Sequence, residues 1–432
     1  MMKTTFFKSY SFEFFLVGGI ILAMLIPMFF ITGLIDERNA RKSNALYEIS
    51  SKWGQAQTLI GPIIRIPFEE VVKEQNGKFR TFEGFFYVSP KTLNFDGAMA
   101  TETRHRGIYE ITLYKTAIKV SGTFPAQPFD LPEKNEVFLD RAEVIFALSD
   151  TKGIEKISPF KAGGRQHTFR PGGLEQNLSH GAVTLPIDLG VLDGGTGFEF
   201  SMNLNGTNRL YFVPLAENTS VQLTSSWPDP SFSGGFLPTG SDITPKGFSA
   251  SWDVSSLRSG IPAVWEETTD IGIYYKAFGV DLYLMADIYQ QTTRAAKYAI
   301  LFISLTFASL LFLGIFTGKR IHPIQYGFTG LGLSIFYVLL LSFSEHIGFS
   351  ASYGVSTLAV VSLITAYAWM IVGNKRAVSA LTAVLSFLYL SLYFILQLED
   401  YALLVGSIGL FLILAVIMVT TARIDWSRQR NT

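Results

Sequence analysis

Two short polar turns hold the side chains best placed to do chemistry. Glu345-His346 and Glu399-Asp400 each interrupt long apolar stretches. Carboxylates and an imidazole gathered at one depth could bind a divalent cation or exchange protons. Like charges held close cannot all ionise cheaply, so such a cluster should keep a proton or recruit a cation or basic partner. The plain alternative is a pair of polar turns at an interface. A second candidate is the basic, glycine-rich run Lys161–Arg170, where Arg165, His167 and Arg170 could hold an anionic group. The competing reading there is an exposed, mobile loop. A third is Lys319, Arg320 and His322, which suit anionic lipid headgroups or act only as a topology anchor.

No catalytic motif accompanies these groups. The five histidines, His105, His167, His180, His322 and His346, make no His-Glu-x-x-His and no close pair for a helix-borne zinc site. No Gly-x-Ser-x-Gly elbow occurs. Gly194-Gly195-Thr196-Gly197 lacks the Lys-Ser/Thr of a phosphate loop and leads into a strand pattern. The chain has no Cys, which removes thiol nucleophiles, cysteine zinc sites and disulfides. With 35 basic and 35 acidic residues and no basic stripe, a nucleic-acid partner is not expected. The expectation is no catalytic residue, no metal set and no cofactor.

The polar turns must be positioned by the apolar stretches around them. Five of these lie at 298–316, 326–343, 349–373, 378–396 and 402–420, and a sixth runs Phe14–Ile35. About 20 mostly apolar residues cover the ~30 Å hydrocarbon core, and no Asp, Glu, Lys, Arg or His falls inside any of the six. The first is longer than a signal-peptide core and is followed by Asp36-Glu37-Arg38 rather than a small-residue cleavage site, so a retained helix is expected. Pro27 sits inside it, where a kink is tolerated in lipid. Gly327, Gly330 and Gly332, with Gly406 and Gly409, should permit close helix approach.

Lys3, Lys8, Lys319, Arg320, Lys375, Arg376, Arg423, Arg428 and Arg430 alternate with loops that carry no Lys or Arg. Positive charge marks the cytoplasmic side, so both termini are expected inside and the large domain outside. Arg38, Arg41, Lys42, Arg294 and Lys297 fall on the predicted outer side and conflict. They flank a long domain, which translocates largely regardless of charge.

The predicted organisation is therefore a cytoplasmic tail (1–13), a first span (14–35), an inserted domain (36–297), a five-helix bundle (298–420) and a cytoplasmic tail (421–432). The fold class is a membrane protein with six transmembrane α-helices, one N-terminal and five C-terminal, and a large, mainly-β extracytoplasmic domain. At about 260 residues that domain can bury a core without disulfides. Residues 36–52 read as a polar helix stopped by Trp53-Gly54. Phe198, Phe200, Met202 and Leu204 then alternate with polar residues, as do Tyr109, Ile111 and Leu113, with Ile118 and Val120 continuing. Asn205-Gly206 predicts a hairpin returning through Leu210 and Phe212. Short strands between Gly/Pro/Ser clusters predict an antiparallel sandwich or two β subdomains, and 281–297 turns back to helix.

Several motifs, in order, carry a resemblance. They are Leu34-Ile35-Asp36-Glu37-Arg38, Trp53-Gly54 with Gln57 and Gly61-Pro62, and Arg106-Gly107-Ile108-Tyr109-Glu110. Trp227-Pro228-Asp229-Pro230-Ser231-Phe232 follows, with Gly235-Phe236-Leu237-Pro238. In the bundle they are HPIQY at 322–326, LLLSFSEH at 339–346 and LQLEDYALLVGS at 396–407, with Asp425-Trp426 after it. Over nearly the whole chain this resembles the CreD family. The resemblance implies a Gram-negative inner-membrane protein of cell-envelope integrity, tied to a stress regulon and to colicin tolerance. It supplies no catalytic site.

Three functions follow from this. The first is a non-enzymatic envelope protein whose outer domain binds or braces a protein, lipid or glycan partner. The second is lipid or envelope-precursor handling at the junction of bundle and domain, since spans without mid-depth charge disfavour ion transport. The third is an envelope hydrolase using carboxylates invisible to motif reading. Membrane lipids are expected partners in all three, and oligomeric state is left open.

Overall fold

The computed structural model describes residues 10–73, 78–172, 181–192, 195, 197–282, 288–398 and 402–421. The chain divides into two units, Met1–Lys42 with Ala286–Thr432, and Ser43–Met285. Residues 36–42 and 286–297 therefore group with the helices rather than with the strands.

The helical unit begins with α1 (Tyr10–Ala23) and α2 (Leu25–Trp53). Pro27 has no N–H for the carbonyl of Ala23, and its ring crowds that carbonyl. The helix breaks at Met24, whose N–H is shared between the carbonyls of Ile20 (3.0 Å) and Ile21 (3.1 Å). As the sequence predicts, α2 runs through the polar segment to Trp53, and Gly54 stops it at φ +142. Then come α3 (Ile288–Lys297), α4 (Ala299–Thr317), α5 (Pro323–Ile347), α6 (Phe349–Val372), α7 (Lys375–Gln397) and α8 (Ala402–Thr421).

Among the described residues five helices are long and apolar enough to cross a membrane: Glu13–Trp53 taken as one, α4, α5, α6 and α7. The expected six spans are thus corrected to five, one N-terminal and four C-terminal. The last apolar stretch does form α8, but its side chains are described only in part, and it is not among the five.

Buried aromatic rings knit the bundle, with Phe336 against Tyr337, Tyr353 and Tyr389. The Tyr353 hydroxyl donates to the Tyr389 carbonyl at 2.6 Å, so its polar end is satisfied inside. Of the five glycines expected to allow close approach, Gly330 alone leaves no room for a side chain. A Cβ there would lie 2.5 Å from Met24 Sδ and 2.8 Å from Phe307 Cζ. Around Gly327, Gly406 and Gly409 nothing lies within 4 Å, and Gly332 meets only an ordinary contact with Leu363.

The other unit is a two-sheet sandwich. One sheet has ten strands among the described residues. Its order is Arg170–Pro171, Gly181–Pro186, Glu143–Leu148, Gln57–Lys73, Arg209–Phe212, Phe278–Leu282 and Pro230–Gly234. Phe79–Val88 and Glu136–Val137 also pair with Gln57–Lys73, and Val264–Glu266 pairs with Phe79–Val88. The other sheet has nine. Its order is Gly240–Thr244, Gly247–Ser255, Asn218–Ser225, Thr92–Arg106, Tyr109–Thr123, Gly197–Thr207, Phe160–Ala162 and Arg165–His167, with Ile154–Ile157 beside Gly197–Thr207.

Alternation builds the core between them. Phe198, Phe200, Met202 and Leu204 point inward, as do Val221 with Leu223 and Ile118 with Val120. Rings meet across the sheets: Phe95 with Phe212 at 5.0 Å, Phe146 with Phe200 at 5.2 Å, and Trp252 with Phe278 at 5.8 Å. A register shift between Ile60 and Ile63 turns those two residues to the opposite face, where they pack with Tyr87, Trp265 and Ile273.

The Asn205-Gly206 hairpin is not formed. Gly197–Thr207 runs through both residues, paired with Tyr109–Thr123. The chain turns only at Asn208 (φ 59) and enters the other sheet. Gly206 is needed for a different reason: a Cβ would sit 2.3 Å from the Tyr114 ring. Residues 281 and 282 are strand, and the helix begins at Ile288.

Candidate functional site

Glu345 sits in the last turn of α5, whose apolar run ends there. Its side chain is 8% exposed and lies 3.7 Å from an Arg38 guanidinium nitrogen. The Tyr289 hydroxyl donates to its Oε1 at 3.0 Å. Lys42, one helical turn beyond Arg38, stands 5.8 Å from the centre of the Tyr289 ring. The carboxylate thus acquires the basic partner that its burial demands, from a residue that had counted against the charge pattern. A second such residue behaves alike. Arg294 donates to the carbonyl of Leu398 at 2.9 Å, closing the end of α7.

Tyr289 and Arg294 lie on α3, about 7.5 Å apart along its axis. One short helix therefore touches the ends of both α5 and α7. Glu399 and Asp400 lie outside the described residues, so their distance from Glu345 is not part of this geometry. Among the described residues no group of three His, Asp or Glu could hold a metal ion. Glu345 with Arg38 and Tyr289 can fix helices together and carry charge; it does not make a cation cage.

At the opposite end of α5, His322, Pro323 and Gln325 form a capping box. His322 Nδ1 accepts from the Ile324 N–H at 3.4 Å, and Gln325 Oε1 accepts from the His322 N–H at 2.8 Å. Arg320 lies 3.6 Å from Glu13 of α1, and its neighbour Lys319 is also engaged. These residues define a helix start and its link to α1.

The run Lys161–Arg170 is a hairpin rather than a loose loop. Gly163 and Gly164 take positive φ between Phe160–Ala162 and Arg165–His167, and Phe169 packs on Phe160 and Phe200. Arg165 and His167 edge the nine-stranded sheet, whereas Arg170 edges the ten-stranded one. Arg165 faces Asp188 at 3.9 Å with both side chains exposed, and His167 Nε2 is buried without a partner. Among the described residues no hydrogen bond or ion pair joins Arg165, His167 and Arg170 to one another.

The sequence reading missed two features. Asp281, 7% exposed at its side chain, receives Arg209 Nε at 2.6 Å, the Tyr211 hydroxyl at 2.8 Å and the Ser233 hydroxyl. Burial pushes the Tyr211 phenol above its ordinary range. Every group in this network is used, which ties three neighbouring strands. Its members are scattered from 209 to 281, so no local spacing announces it.

The second is the hairpin Gln57–Lys73 with Phe79–Val88. Its base is fastened by Lys134, which reaches Glu70 at 2.7 Å and Glu266 at 3.1 Å and is held charged mainly by Glu70. The Val71 N–H is taken by Asn135 at 2.7 Å. Beyond that point, among the described residues, the two strands pair only with each other. Val71, Val72, Phe79 and Phe82 are exposed there, Phe79 by 72%. Lys73 and Arg80 stand over the Phe79 and Phe82 rings at 5.9 and 5.0 Å. Val-Val-Lys and Lys-Phe-Arg-Thr-Phe, apolar residues beside cations at a strand turn, are the signal that could have found it.

The motif residues of the sandwich prove structural. Trp53 Nε1 donates to the Tyr114 carbonyl at 3.4 Å, beneath Arg104 and Lys115. Gln57, fully buried, bonds the carbonyl of Asp150 at 2.9 Å.

Comparison with known proteins bears on the whole chain. A family model described as inner membrane protein CreD matches residues 9–427. The inner membrane protein CreD of Escherichia coli (strain K12) is 32% identical over 414 residues, covering 94% of this chain and 92% of that protein. Two solved structures of an M1 zinc metallopeptidase from Deinococcus radiodurans align at TM-scores of 0.20 and 0.19 with 10% identity. They cover 38% of this chain and 39% and 40% of theirs, and carry no argument at those scores.

Proposed function

This chain belongs to the CreD family of inner membrane proteins, and on that premise we propose that it is a non-enzymatic envelope-integrity protein. Its sandwich would face the periplasm and dock an envelope partner through the paired strand ends Val71–Lys73 and Phe79–Phe82. Both chain termini would lie in the cytoplasm. The observation that carries the reading is the exposure of Val71, Val72, Phe79 and Phe82 on those strand ends. Apolar side chains left bare on a stiffly based hairpin are the usual mark of an interaction surface. Lys73 and Arg80 beside the rings favour a partner with apolar and anionic groups together.

The orientation rests on the alternation of basic loops. Arg38 and Arg294, which had weighed against it, are occupied by Glu345 and the Leu398 carbonyl, and so have a structural reason to sit at the outer ends. The test is the double substitution Phe79→Ser with Phe82→Ser in the native gene. Membrane levels of the protein should stay unchanged, while cells lose envelope tolerance to the level of a deletion. Full tolerance with normal protein levels would sink the docking reading.

A further inference from the structure

Between α6 and α7 the bundle leaves an open groove of 690 Å³. On α6 its walls recur at a three- and four-residue spacing from Leu358 through Thr365 to Met370, one continuous helix stripe. On α7 they are Val378, Thr382 and Ser386. Two of its polar side chains are paired with each other. Thr365 and Thr382 share a hydroxyl–hydroxyl bond of 2.9 Å, and Thr382 also donates to the Val378 carbonyl. The groove thus offers a mainly apolar surface.

Its length and its mouth narrow the choice of occupant. Leu358 to Met370 spans about 18 Å of helix, close to the depth of one leaflet of a ~30 Å core. The groove ends where α6 stops at Gly373 and α7 starts at Lys375. Lys375 lies one turn before Val378 on the face that continues to Thr382 and Ser386. Lys375 and Arg376 are exposed, and neither forms an ion pair among the described residues. We propose that this groove is a binding site for an anionic phospholipid, one acyl chain lying between α6 and α7 and the phosphate against Lys375 and Arg376.

The test uses the full chain in nanodiscs of dioleoylphosphatidylglycerol and dioleoylphosphatidylcholine in equal parts. Lipid retained on the released protein is measured by native mass spectrometry across dilutions. Wild-type protein should retain phosphatidylglycerol preferentially. Lys375→Gln with Arg376→Gln should weaken that retention about thirty-fold, the effect of two basic residues at an anionic headgroup. Ala366→Trp, which fills the groove, should abolish it. The charge variant lies on an exposed turn, so it decides the matter if Ala366→Trp does not fold. Equal retention of the two lipids by wild type would overturn the proposal. So would retention unchanged by the charge variant, or a dimer that releases no lipid, which would make a second copy the occupant.

Discussion

Among the described residues of the bundle, Glu345 is the buried carboxylate, and its neighbours define what each contact supplies. Glu345→Gln keeps an acceptor for Tyr289 and loses the attraction to Arg38. Arg38 is 38% exposed and can rehydrate, so the cost should be about 1 kcal/mol or less. Glu345→Ala also strips the Tyr289 hydroxyl of its acceptor and should cost ~1–3 kcal/mol. A double-mutant cycle of Arg38→Gln and Glu345→Gln, read by unfolding of the detergent-solubilised chain, should show coupling of at least ~0.5 kcal/mol. Strict additivity would remove the pair from the account.

Tyr114 gives a second residue-level outcome, in the sandwich. Its hydroxyl donates to the Arg209 carbonyl at 2.7 Å, and burial raises its pKa above 10. A phenol whose folded pKa exceeds its unfolded one contributes fully below the unfolded value and loses that contribution as pH rises through the folded one. Tyr114→Phe should therefore cost ~1 kcal/mol at neutral pH and make the decline in stability above pH 10 shallower. Urea unfolding followed by tryptophan fluorescence across alkaline pH checks this. Parallel slopes for the two proteins would contradict it.

Elements differ in how plainly the sequence announces them. Spans are legible because lipid demands an unbroken apolar run, so Ala299–Thr317 and Phe349–Val372 lie nearly where the runs put them. Half-buried strands are legible by alternation, as at Phe198–Leu204. Strand order is not, because pairs such as Gln57 with Leu210 and Asn218 with Thr92 are parallel and far apart in sequence. Asn205-Gly206 misled for a tertiary reason, the Tyr114 ring lying against Gly206. The glycines of α5 misled likewise, since spacing does not say which face meets a neighbour. Gly330→Ala should destabilise the bundle by ~1–3 kcal/mol, because Met24 can shift but the Phe307 ring is held. Gly327→Ala, with open space around it, should be close to neutral in the same thermal measurement. Equal effects would refute the close approach of Met24 and Phe307 to α5.

Of the candidate sites, sequence located Glu345 but not its partners. Arg38 and Tyr289 come from α2 and α3, far from it in the chain, and only folding assembles them. The basic run at 161–170 showed the reverse, residues close in sequence that fall on two different sheets.

For the whole molecule, the proposed orientation puts the sandwich on the envelope side and the Lys375 turn on the cytoplasmic side. The natural sequence has no Cys, so a single introduced thiol can be read without background. Phe79→Cys and Lys375→Cys, each in the full chain, should be labelled in whole cells with permeabilised outer membranes by a maleimide that cannot cross the inner one. Phe79→Cys should react in such cells, and Lys375→Cys only after lysis. Reaction of Lys375→Cys in intact cells, with Phe79→Cys protected until lysis, would reverse the orientation and contradict the account.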